Sequence, residues 1–204
     1  MPSLEDGELL MSESCAMMQY ILDRYGKGRL QPLAGTIEHA YFLQWLWFSE
    51  ATFSRPVGEI VNHRREFPGE LGIPDVVKEM QSRIFKCILA LDKALEEKPF
   101  ILGKEFSAAD ISLGYTLLIA QDRIGESLPQ RVFDYWDSIS SRKAFKIAKE
   151  AKFHLKISRI EPKKTNQYKR TLENSPVRFL SSLYFSSPQI VLIFMMQRAA
   201  LKFL

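Results

Sequence analysis

Apolar residues recur at every third or fourth position through most of the first 150 residues, and that period predicts helices. The clearest run is Val77, Met80, Ile84, Ile88, Leu91 and Leu95, which predicts an amphipathic helix from Asp75 to about Glu97. Upstream, Thr36 stands where a side chain caps a helix, and the stretch it opens, to about His63, carries two stripes. Tyr41, Trp45 and Phe48 form one, Phe42, Leu46 and Phe53 the other, and Pro56 predicts a bend in the second half. Between Ala108 and about Asp122 the apolar residues Ile111, Leu113, Tyr115, Leu117 and Leu118 fall on more than one face, so this helix is expected to be buried on most sides. Ser107 and Asp110, three residues apart, predict a capping box at its start, with Phe106 placed to clasp Ile111 across it. Pro129 opens another helix with Val132, Phe133, Trp136 and Ile139, and Ser141 to Phe145 begins a short last one.

The N-terminal end reads differently. Met1 to Leu4, a turn through Asp6-Gly7, and Leu9 to Met11 predict a short hairpin. Ser12-Glu13-Ser14 then caps a helix to about Tyr25 with Ala16, Met17, Tyr20, Ile21 and Leu22 as its apolar positions. A hairpin and one helix cannot stand alone in water, so this piece must lean on something else. Residues 26–35 are rich in Gly and Pro and read as a linker. The expected organisation is therefore 1–25, linker 26–35, a helical domain over 36–150, and a tail over 151–204.

Charge changes the picture mainly in that tail. Residues 1–150 hold 18 Lys and Arg against 22 Asp and Glu, a net of −4, whereas residues 151–204 hold 10 against 2, a net of +8. No RNA-binding signature or glycine-rich phosphate loop accompanies the basic residues, so no specific nucleic-acid partner is expected. Phe179 to Gln197 is uncharged over 19 residues, but four serines, a proline and two glutamines dilute it, and membrane contact is not the expected role. A docked helix, or a terminus from an altered reading frame or retained intron, stands beside it. The 46% hydrophobic content can fill a core. Cys15 and Cys87 form no spaced framework, and His39, His63 and His154 are too scattered for a metal site. The first residues have neither a basic region nor an apolar core, so a cytoplasmic protein is expected. Cys15 falls in a first helical turn, where the dipole favours thiolate, although packing against a neighbouring sheet is its expected role, as core packing is for Cys87. His63-Arg64-Arg65 ends a helix, where positive charge suits the dipole.

Phe100-Ile101-Leu102-Gly103, followed by Phe106-Ser107-Ala108-Ala109-Asp110-Ile111, resembles the core helix start of the glutathione S-transferase C-terminal domain. The run Pro2-Ser3-Leu4, Asp6-Gly7, Leu10, Glu13-Ser14, Ala16-Met17, Tyr20-Ile21-Leu22 resembles the second half of that family's thioredoxin-like domain. Tyr135-Trp136-Asp137 and Arg142-Lys143-Ala144-Phe145 resemble its closing helices, so the likeness covers about residues 1–150. It implies a mainly α fold: a helical bundle of the glutathione S-transferase C-terminal type, preceded by a truncated thioredoxin-like α/β remnant of hairpin plus helix. By the same resemblance the backbone of Met1, before a cis Pro2, would pair with the cysteinyl part of glutathione, and Glu13 and Ser14 would hold its γ-glutamyl end.

The family reaction is addition of the glutathione thiolate to an electrophile, with a homodimer as the usual assembly. Tyr41, Trp45 and Phe48 would wall the pocket for a small hydrophobic electrophile; core packing is the alternative reading of these aromatics. This sequence starts at the proline, so the thiol-activating residue and the central strands of the family are not in it. Two expectations follow. Conjugation is weak or lacking, and the hairpin presents an open, aggregation-prone edge. The alternative function is a non-catalytic module that binds a protein partner through its helix surfaces, as such C-terminal domains do in translation-factor and synthetase assemblies.

Overall fold

The structure, a computed structural model, describes residues 3–150 and the backbone of residues 178–180. Met1, Pro2 and the remainder of the tail lie outside the described residues. Ser3–Asp6 (β1) and Leu9–Met11 (β2) pair antiparallel in the register Leu4 to Met11 and Asp6 to Leu9. Their turn needs Gly7 at φ +62°, a conformation that a residue without Cβ adopts at little cost.

Helix α1, Ser14–Tyr25, follows directly. One of its faces, Met17 and Ile21, closes over the fully buried Leu4, while Cys15, Met18 and Leu22 belong to the main core. Asp6 locks the hairpin onto α1. Its Oδ2 accepts hydrogen bonds from the Tyr20 hydroxyl at 2.6 Å and the Tyr25 hydroxyl at 2.5 Å, and Arg24 Nε lies 3.3 Å away. The two tyrosine hydrogen bonds, then the Arg24 charge, hold the Asp6 carboxyl below the usual carboxylate range against its own burial.

Helix α2 spans Ile37–Trp47, and Thr36 Oγ1 accepts from the His39 amide at 3.2 Å. The single α-helix expected to His63 is interrupted by a π-helical stretch, Phe48–Phe53, before α3 runs over Ser54–Glu66. Pro56 supplies the reason. It has no amide to give the Thr52 carbonyl, so the ladder shifts. The Ser54 amide reaches back five residues to the Ser49 carbonyl, and the Thr52 carbonyl faces the Cys87 thiol at 3.9 Å.

His63, Arg64 and Arg65 fall in the last turn of α3 as expected, and His63 Nε2 accepts the Ile73 amide at 2.9 Å, which ties α3 to the start of α4, Pro74–Ala94. The predicted stripe of α4 is buried at Ile84, Ile88 and Leu91, with Cys87 beside it.

Helix α5, Ala108–Ala120, is the centre of the bundle, buried at Ala108, Leu113, Tyr115, Leu117 and Ala120 on several faces at once. Its capping box closes, with the Ser107 amide and hydroxyl each donating to Asp110 Oδ2 at 2.8 Å. Asp110 Oδ1 accepts from the Ile101 amide at 2.8 Å and from the Tyr135 hydroxyl of α6, Gln130–Ser140, at 2.9 Å. Burial pushes the Asp110 carboxyl up, and these four donors pull it back without cancelling the rise. Phe106 meets the edge of Phe100 and lies under the Arg142 guanidinium at 3.7 Å. Buried Ser49 and Thr116 join the π stretch to α5 through a 2.9 Å hydroxyl pair.

Helix α7, Lys143–Glu150, completes the bundle. Arg178–Leu180 (β3) then pairs antiparallel with β1, so the sheet order is β2-β1-β3. The β1 edge expected to be open is therefore covered, because the tail contains a segment able to supply a strand.

At Gly114, α5 packs tightly against Ile139 of α6. A Cβ there would sit 2.8 Å from Ile139 Cγ2, inside contact distance with a buried side chain. Gly114→Ala is expected to lower unfolding free energy by about 1–2 kcal/mol despite the better helix propensity of Ala. Denaturant unfolding checks this, and adding Ile139→Ala should make the Gly114→Ala penalty vanish in the double variant.

Candidate functional site

The start of α1 has an unusual backbone, with Glu13 one of four non-glycine residues at positive φ among the described residues. Glu13, the N-cap, has φ 73° and ψ 112°, and no side chain caps the helix. The expected Ser12-Glu13-Ser14 cap is not made, because Ser14 is already the first helical residue and is buried, whereas Glu13 is exposed. A residue with a Cβ held at this φ is strained by about 1–2 kcal/mol. First-turn amides without a side-chain acceptor, at the positive end of the helix dipole, suit a carboxylate. Glu13 sets a negative charge beside them, where an ammonium group is favoured.

The surroundings sharpen this polarity. Glu50, on the π stretch, is half-buried, and burial together with the Glu13 charge raises its carboxyl pKa. Cys15 donates its thiol to the Leu46 carbonyl at 3.7 Å, and burial first, then Glu50, pushes its pKa up to about 12. It is a packed, protonated thiol. The Tyr115 hydroxyl is buried without a hydrogen-bond partner among the described residues, and burial and Glu50 raise its pKa as Arg123 opposes them.

The two stripes of α2 and the π stretch part company. Phe42, Leu46 and Phe53 are fully buried, whereas Tyr41 is 55% exposed and Trp45 and Phe48 are half-buried, their rings 5.1 Å apart edge to face. A groove of about 680 Å³ lies elsewhere, between α3 and α4, lined by Arg55, Glu59, His63, Met80, Arg83 and Cys87 among others. Tyr41, Trp45 and Phe48 do not line it. Sequence reasoning missed this groove, although Arg55-Glu59-His63 at steps of four was the signal for a polar face of α3. Ser107 and Asp110 are wholly engaged in the α5 cap, and Met1 and Pro2 lie outside the described residues. Among the described residues no helix is long and apolar enough to cross a membrane.

A thioredoxin-like hairpin and helix set against a mainly helical bundle is the fold class these elements define. The family model for the glutathione S-transferase C-terminal domain matches residues 74–142. Glutathione S-transferase F10 of Arabidopsis thaliana is 30% identical over 153 residues, 71% of this chain and 71% of its own length. Glutathione S-transferase F9 of the same plant is 27% identical over 154 residues, with 71% of each chain covered. The chain belongs to the glutathione S-transferase family.

Among solved structures, a glutathione S-transferase from Actinobacillus pleuropneumoniae superposes with a TM-score of 0.59 at 25% identity, over 71% of this chain and 65% of that one. A glutathione transferase from Phanerochaete chrysosporium, in complex with oxidized glutathione, shares the fold with a TM-score of 0.61 at 21% identity, over 68% and 65% of the two chains. The chain thus spans about 65% of the length of these solved structures.

Glu13→Gly tests the strain. Relief of the positive φ, offset by the greater freedom of Gly in the unfolded chain, is expected to leave stability unchanged or raise it by up to about 1 kcal/mol, measured by urea unfolding. Glu13→Ala, which keeps a Cβ at this φ, is expected to bring no such gain.

Proposed function

We propose that this chain recognises glutathione at the start of α1 and by itself conjugates it to electrophiles weakly or not at all. Glu13 faces the ligand's ammonium group, while Ser14 and the first-turn amides hold the γ-glutamyl carboxylate. Met1, before Pro2, contributes backbone to the cysteinyl part. The observation that carries the reading is Glu13 at φ 73° in front of an uncapped helix. Backbone strain of this kind clusters at functional sites. Weak conjugation is supported by the nearest thiol donor: Cys15 is buried and gives its hydrogen bond to the Leu46 carbonyl, which leaves it none to offer a bound thiolate. The half-exposed stripe Tyr41, Trp45 and Phe48 is the proposed wall for a small hydrophobic electrophile. Residues 1–25 form the glutathione-facing unit in this reading, 26–35 the linker and 36–150 the helical domain. A cytoplasmic homodimer is the proposed state.

A protein-docking role is the second reading, favoured by one observation: Leu33 and Ile37, just before and at the start of α2, are 79% and 73% exposed, next to exposed Tyr41.

Binding to immobilised glutathione separates the two. The full chain is expected to be retained and released by free glutathione, with Ser14→Ala weakening retention about tenfold, the size of one lost charge-assisted hydrogen bond. A folded, helical protein that passes through unretained and co-purifies with another protein would overturn the first reading in favour of the second. Rapid glutathione-dependent turnover of an aromatic electrophile, lost in Ser14→Ala, would overturn the weak-conjugation part alone.

A further inference from the structure

The β1 edge opposite β2 carries a pairing that no part of the glutathione reading uses. Ser3, Leu4 and Glu5 stand opposite Leu180, Phe179 and Arg178, antiparallel and in continuous register. An unpaired strand edge is a template for any other extended chain, and proteins cover or charge such edges. We propose that the β1 edge is a strand-docking site whose resident occupant is this chain's own 178–180 segment, which seals in cis an edge that otherwise accepts a strand from a second molecule.

Three features support this occupant. The three backbone pairs run in continuous antiparallel register, with no bulge or slip. The tail is basic, with 10 Lys and Arg against 2 Asp and Glu, whereas residues 1–150 are acidic overall, so its approach is favoured at long range. The 27 residues from 151 to 177 reach up to about 90 Å when extended, ample for a return to β1 from the end of α7. The strand also lands where it matters. Leu4, the middle residue of the pairing, is fully buried against Met17 and Ile21 of α1, so pairing its backbone shields the small cluster that fastens the hairpin to the helix. Three residues of ladder form only a few backbone hydrogen bonds, which the entropy of ordering the segment largely offsets. The occupant is therefore exchangeable.

Oxidation of the full-length Glu5→Cys/Arg178→Cys variant tests the pairing; both native cysteines are buried and stay out of the reaction. The expected product is an intramolecular disulfide in most molecules, seen as a monomer 2 Da lighter, while the register control Glu5→Cys/Leu180→Cys, whose Cα atoms fall beyond disulfide reach, stays reduced. Disulfide-linked dimers would overturn the cis assignment, and a folded protein without any disulfide would overturn the pairing.

Sealing is tested by Phe179→Pro/Leu180→Pro. Adjacent amides in a strand point to opposite edges, so this pair removes whichever one faces β1. At least a doubling of apparent mass on size exclusion, with helix content unchanged, is expected. An unchanged mass would overturn the seal.

Discussion

One buried carboxylate organises the helical bundle. Asp110 is wholly shielded from water, yet it accepts four hydrogen bonds, two from the Ser107 turn, one from the Ile101 backbone and one from Tyr135 of α6. A buried polar group of this kind is tolerable only when every lone pair is used, and each donor orphaned by its loss would cost about 1–3 kcal/mol. The three segments that supply the donors are thereby held in one arrangement. Helix α5 starts there, and the Ala108 amide donates to the Leu30 carbonyl at 2.8 Å, so the segment leading from α1 to α2 is tied to the same point.

The proposed site is fixed through the same helix. Helix α5 is joined through Thr116 and Ser49 to the π stretch, which also carries Glu50 and follows Leu46, the residue whose carbonyl takes the Cys15 thiol. Helix α1 is consequently pinned on one face by the bundle and on the other by Leu4 and the Asp6 tie. A helix fixed on both sides can keep its N-cap residue in a strained conformation, since relaxing Glu13 would require moving α1 against both contacts. The groups at that end of α1 are a carboxylate, the helix dipole and a hydroxyl, with the buried Cys15 thiol next in sequence.

Legibility in the sequence followed the range of the interactions. The α4 stripe and the Ser107-Asp110 box are local patterns, complete within a turn or two, and the spacing displays them. Pro56 announced an irregularity but not its form, and the Cys87 thiol that faces the freed Thr52 carbonyl comes from 35 residues away. Asp6 looked like a turn residue, since its partners Tyr20 and Tyr25 reach it only once β1 packs on α1. Glu13-Ser14 was visible by likeness to a known family, yet the missing cap was not, because serines near a helix start ordinarily predict one. The pairing of β1 with residues 178–180 has no local signature at all: three residues with no turn to announce them, joined across the length of the chain.

The most direct test of the central claim is an amide NMR titration of the full chain with reduced glutathione. The account predicts saturable shifts centred on Glu13, Ser14 and Cys15, with the α3–α4 groove around Arg55 and Arg83 unmoved. Shifts confined to that groove, or none anywhere in a protein whose spectrum is that of a folded helical chain, would contradict it.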